Sequence, residues 1–149
     1  MTCCFFGHKD TPDHIQSALL ELLTLLIKEQ HANLFLVGCQ GNFDHLVIRT
    51  LAELKRKYPN LQYYVVLQSF PTKSTPVFPI ETLFPQGLET VPPKYAIDKR
   101  NRWMLMQSDA VICYLSRSFG GAAKYCTLAQ KQQKQVFNLF PPQKVEKSR

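Results

Sequence analysis

The sequence has no C-x-x-C pair, although it carries five cysteines, Cys3, Cys4, Cys39, Cys113 and Cys126. An odd number without paired spacing argues against a disulfide framework or a four-cysteine zinc site. Four of the five lie in or beside apolar runs, as reduced thiols do. There is no H-E-x-x-H, and His14, His31 and His45 lack a partner at any metal-binding spacing. There is no G-x-S-x-G elbow and no local cysteine-nucleophile signature. No metal and no cofactor are therefore expected, and no catalytic set declares itself. Long apolar runs are missing too: the stretch from Ala18 to Ile27 is broken by Glu21 and Thr24 and is far too short to span a bilayer. The N-terminus lacks the charged, apolar and small-residue regions of a secretory leader, so a cytoplasmic chain without membrane contact is expected.

Acidic residues are the scarcer charge, eleven against eighteen basic, for a net charge of +7. Three of the bases, Lys144, Lys147 and Arg149, fall in a short tail, and the remaining excess favours an anionic ligand. With 149 residues and 45% hydrophobic content, the chain reads as one globular domain over 1–142 followed by a basic tail over 143–149.

Strand-like and helix-like segments alternate. Thr2 to Phe6 is a short strand; Thr11 caps a helix with Pro12 at its first position, running to Gln30 with Leu19, Leu22, Leu23, Leu26 and Ile27 on one face. Leu34 to Val37 is a second strand. A helix follows it, with Leu46, Val47, Leu51 and Leu54 on one side, and Leu61 to Leu67 is a third strand. Six of the ten prolines lie between Ser69 and Pro93, a long loop anchored by Phe70, Phe78, Ile80, Phe84 and Leu88. Tyr95 to Met106 reads as helix, Ala110 to Leu115 as a strand buried on both faces, Ala122 to Lys134 as helix, and Gln135 to Phe140 as a last strand closed by Pro141 and Pro142. That alternation predicts an α/β fold with a parallel sheet of about five strands and helices on both faces.

Glycine is scarce as well, six in all, and five of the six sit in three turns that leave strands: Gly7, Gly38 and Gly41, and Gly120 and Gly121. In parallel sheets ligands bind beyond the carboxyl ends of the strands, so these turns are expected to converge on one cleft. His8 and Lys9 are a donor pair for a phosphate, or simply a polar turn. Gln40 and Asp44 offer a ribose contact, or Asp44 serves as a cap near the helix dipole. Arg100 and Asn101 present a fork for phosphate, or a solvated helix face. Ser116, Ser118, Gly120 and Gly121 lead into a helix whose amide groups suit an anion, or form an ordinary strand-to-helix turn.

Taken together, Thr2-Cys3-Cys4-Phe5-Phe6-Gly7-His8-Lys9-Asp10-Thr11, Val37 to Asp44, Tyr63 to Leu67, Gly87 to Pro93, Arg100 to Met104 and Ser118 to Ala123 resemble the SLOG superfamily. That Rossmann-like group includes the cytokinin-activating LOG proteins and the DNA-processing protein A domain; the likeness is to a branch of short, stand-alone bacterial proteins. The resemblance implies a Rossmann-like sheet and a site for a nucleotide or nucleotide-derived ligand. Lys9 stands where that branch usually has arginine and Cys39 where asparagine is commoner. Ala122-Ala123-Lys124-Tyr125 follows Gly120-Gly121 without the glutamate of the LOG pattern, so LOG-type hydrolysis does not carry over. The expected function is a sensor or sequestering module for a nucleotide-like small molecule. The alternatives are a nucleotide or N-glycosidic bond hydrolase using Glu89 or Asp44, and a single-stranded nucleic-acid binder. Self-association is left open.

Overall fold

Side chains of the first strand, β1 (Thr2–Gly7), alternate between the two faces of the sheet, and this divides the molecule into two layers: Cys3 and Phe5 enter one apolar core, Cys4 and Phe6 the other. The computed structural model describes residues 1–140. After β1 come a one-turn 3-10 segment (Asp13–Ile15), α1 (Gln16–Gln30), β2 (Leu34–Val37), α2 (Gly41–Lys57), β3 (Gln62–Val66) and β4 (Glu81–Leu83). A 3-10 turn at Leu88–Thr90, α3 (Pro93–Gln107), β5 (Ala110–Tyr114), α4 (Gly121–Lys131) and β6 (Gln135–Asn138) complete the described chain. The closing Pro141-Pro142 and the tail over 143–149 lie outside the described residues.

All six strands pair in parallel in the order β4-β3-β2-β1-β5-β6. The helices α1 and α2 pack Leu19, Leu23, Leu46 and Leu51 on one face, while α3 and α4 pack Met104, Leu105, Cys126 and Ala129 on the other. This is a Rossmann-like α/β sheet with helices on both faces. The central strands β1, β2 and β5 are buried on both sides because each side meets helices, which is why β2 and β5 read as continuous apolar runs. All five residues of β5 are buried.

The sheet has six strands where five were expected. The extra one, β4, lies in the proline-rich loop and pairs with β3 through Tyr64↔Glu81, Val65↔Thr82 and Val66↔Leu83. Its three residues are largely exposed and carry no apolar pattern, so only the unpaired edge of β3 reveals it. Within the same loop Ile80 and Leu88 are buried as anchors, but Phe70 is 71% exposed and meets the Phe84 ring edge-to-face. The expected cap at Thr11 also differs. Its amide and hydroxyl both donate backward to the His8 carbonyl, at 3.2 and 2.6 Å, which tightens the turn after β1 and leaves the helix to start through the 3-10 turn.

The chain runs outward from β1 through β2, β3 and β4, then returns to place β5 on the other side of β1. The order reverses there, so the turns after β1 and β5 diverge and leave a crevice between them. No helix among the described residues is long and apolar enough to cross a membrane.

Candidate functional site

A cavity of about 420 Å³ occupies that crevice. Gly7, His8 and Lys9 border it from the turn after β1, and Gly38, Gln40 and Asp44 from β2 and α2. Arg100 and Asn101 reach it from α3, and Gly120 and Gly121 from the start of α4. Ten of the thirteen residues singled out from the sequence thus meet around one space. Gly41 does not border it, nor does Ser116, which is exposed; Ser118 lies in a separate hollow on the outer side of α4 with Arg102, Lys124 and Lys131.

Arg100 forms the floor. It is 1% exposed, so the solvated-face reading of this residue gives way to a side chain folded back over the sheet edge. Its Nη1 donates to the Val66 carbonyl at 2.9 Å and to Gln68 Oε1 at 3.4 Å, and its Nε donates to Asn101 Oδ1 at 2.8 Å. These partners hold the guanidinium flat against the backbone of Gly38, where a Cβ would stand 2.9 Å from Cζ. None of the partners is charged. Among the described residues no carboxylate comes within ion-pairing distance of this buried cation.

Asp44 is the acid of the cavity. It is 8% exposed, and its Oδ2 accepts the Gln40 amide at 2.8 Å. Burial pushes its carboxyl up to about 6, against the opposing pull of the Gln40 hydrogen bond and the more distant Arg100 charge. The capping reading of Asp44 is therefore realised in the geometry. His8 is also buried, with its ring edge-on to Tyr114 at 6.4 Å; its Nε2 has no partner among the described residues. Burial, reinforced by the Arg117 charge, lowers its affinity for a second proton.

The glycines differ in purpose. At Gly7 a Cβ would fall 2.2 Å from the Phe43 ring, and at Gly41, with φ at +87°, it would strike Lys9 at 2.6 Å. Both serve packing: Gly41 lets the turns after β1 and β2 close on each other, where the Asn42 amide donates to the Lys9 carbonyl at 2.9 Å. Gly121 is another matter. A Cβ there would meet nothing within 4 Å, so no protein contact demands its absence. The same open space surrounds Gly120, whose φ of +101° does call for glycine.

Four features of the site were not read from the sequence. Arg117, in the turn after β5, borders the cavity and donates through Nη2 to Asp10 at 3.2 Å. Tyr125 lines the wall and donates to Asp98 at 2.5 Å; that hydrogen bond, with Lys124 and Arg102 beside it, holds the Asp98 carboxyl at about 2. Ile97 and Met104 supply apolar wall from α3. Arg117 belongs to the glycine turn already singled out, whereas Tyr125, Ile97 and Met104 follow only from helix phase. Glu89 is exposed, accepts the Gly87 amide at 2.9 Å and does not border the cavity.

The cavity offers three cations, one buried carboxylate, apolar wall and bare backbone at a helix start. That set can receive a small ligand with an anionic end and an apolar or aromatic body. Among the described residues no group of three or more His, Cys, Asp or Glu side chains is placed to hold a metal. No family model matches the chain, and no curated protein matches it.

Proposed function

We propose that the protein binds a nucleotide or nucleotide-derived small molecule, as a sensor or sequestering module of the SLOG type. The observation that carries this reading is Arg100: a guanidinium 1% exposed, lining a cavity, with neutral partners only. A buried charge is costly unless an opposite charge compensates it, and a phosphate entering beside Gly38 supplies that charge. The three turns expected from the sequence supply the surrounding donors.

A second reading, hydrolysis of a nucleotide or N-glycosidic bond, draws on Asp44 alone. A carboxyl held near 6 keeps a protonated fraction close to neutral pH, as a general acid needs. Glu89, the other candidate, stands outside the cavity.

Native mass spectrometry of the freshly purified protein, followed by calorimetry with a panel of nucleoside mono- and diphosphates, tests the binding reading. At least one nucleotide should bind at micromolar strength, and Arg100→Lys should weaken it at least tenfold because the planar fork is lost. No binding across the panel overturns the reading. Turnover of the bound nucleotide, abolished in Asp44→Asn, establishes the second. Tight binding of single-stranded DNA or RNA that collapses between about 50 and 200 mM salt replaces both with the nucleic-acid reading.

A further inference from the structure

Across the mouth of the cavity, the turn after β1 and the turn after β5 are joined by one ion pair, Arg117 to Asp10, between residues 107 positions apart. The strands beneath them are direct neighbours, with Gly7 opposite Tyr114 in the register. Arg117 borders the cavity and Asp10 does not. The guanidinium, 5.7 Å from the Phe119 ring, is thus tied to a carboxylate outside the ligand space while its own residue stands at the rim. Both partners are in water: the Asp10 side chain is 73% exposed and that of Arg117 37%. An ion pair so exposed is weakly held and exchanges readily for a stronger acceptor. A phosphate is such an acceptor, since its oxygens take two parallel N–H donors from one guanidinium.

We infer that Arg117 is a ligand-binding residue for the phosphate end of the nucleotide, and that Asp10 competes with the ligand for it. This deepens the nucleotide reading above and rests on it. In the free protein Asp10 occupies the guanidinium. When a phosphorylated ligand enters, Arg117 leaves Asp10 and joins Lys9 and Arg100 around the anion. The chemistry selects for a phosphate ester over an uncharged nucleoside. It also gives Asp10, a carboxylate beside a cationic cavity, a reason to stand at that position. The hydrogen bond from Arg117 holds the Asp10 carboxyl below its ordinary range, so the exchange can be followed directly.

The test uses the full chain and the nucleotide from the panel that binds wild type, compared with its unphosphorylated nucleoside and with inorganic pyrophosphate. Arg117→Gln should lose about tenfold in affinity for the nucleotide and for pyrophosphate while leaving the nucleoside unchanged. Asp10→Asn should gain about twofold to fivefold, the worth of an exposed ion pair. The double variant should behave as Arg117→Gln alone, because the gain needs the freed guanidinium. Carboxyl NMR of wild type should show Asp10 returning toward its ordinary pKa when the nucleotide is bound. If Asp10→Asn weakens binding, the pair orders the loop and the inference is overturned. It is equally overturned if Asp10→Asn gains the same factor with Arg117 absent, which is a plain change of net charge. If wild type binds neither any nucleotide nor pyrophosphate, the nucleotide reading falls and this inference with it; wild-type binding indifferent to both variants removes the inference alone.

Discussion

Gly38 and Arg100 occupy one space between them, the hydrogen of the glycine leaving room for the guanidinium. Gly38→Ala would put a methyl group 2.9 Å from Cζ and 3.0 Å from both terminal nitrogens, and the guanidinium has to move off its three partners. The expected result is a loss of nucleotide affinity of about tenfold or more, the lower end for a hydrogen bond to a charged group, with a stability cost of about 1–3 kcal/mol from overpacking. Calorimetry and urea denaturation measure the two; unchanged affinity with a destabilised fold takes Arg100 out of the anion site. Asp44 makes a pH prediction. Its folded carboxyl titrates at about 6, above the ordinary carboxylate value, so the folded state binds a proton more tightly than the unfolded chain. Its contribution to stability is therefore greatest below the unfolded pKa and declines as pH rises through about 4 to 6. Asp44→Asn keeps an oxygen for the Gln40 amide and removes the buried charge. It should be more stable than wild type at pH 7.5, by up to about 3 kcal/mol at ~1.4 kcal/mol per unit, and equal to it near pH 3.5. A variant less stable than wild type at pH 7.5 contradicts the burial account.

At the scale of elements, the start of α4 is where a ligand contact is separable from folding. Gly121 is the first residue of the helix, with no positive φ and nothing within 4 Å of where a Cβ would sit. Gly121→Val should leave the melting temperature within a few degrees of wild type, because only helix propensity and exposure change. If a phosphate lies against the backbone there, the branched side chain should cut nucleotide affinity at least tenfold. Equal affinity in two folded proteins moves the anion away from this turn. The neighbouring Gly120 is no substitute for the experiment: its φ of +101° makes any other residue strained whatever the ligand does. The turn after β2 contrasts with it, since Gly41 is fixed by contact with Lys9 and its replacement damages the scaffold first.

For the whole molecule, the sheet order ranks the strands by protection. β1, β2 and β5 are covered by helices on both faces and paired on both edges, whereas β6 is an edge strand with no buried residue and β4 has three residues. Amide hydrogen exchange should be slowest in β1 and β5, faster in β6 and fastest in β4. Slow exchange across 81–83 would show the proline-rich loop to be part of the cooperative core. The site inherits this gradient: Arg100, its floor, is held by the Val66 carbonyl at the end of β3, while across the rim the turns after β1 and β5 meet in the exposed pair of Arg117 and Asp10.

The five longer strands, the four helices and the gathering of glycine turns at one sheet edge were legible in the residues themselves. Unbroken apolar runs mark strands buried on both faces, and their alternation with helical periods permits few arrangements besides a parallel sheet. Motif position also placed Lys9, Arg100 and Gly120 around one space, because β1 and β5 are neighbours in such an order. β4 stayed hidden, since three largely exposed residues carry no periodicity and the edge of β3 alone gives them a partner. Local preference points Thr11 to the helix start, whereas the turn after β1 takes its hydroxyl. The depth of Arg100, the unpartnered nitrogen of His8 and the raised carboxyl of Asp44 depend on what covers each side chain from remote parts of the chain. Local sequence sets which groups leave each strand; only the packed sheet decides how far each is removed from water and which charge it faces there.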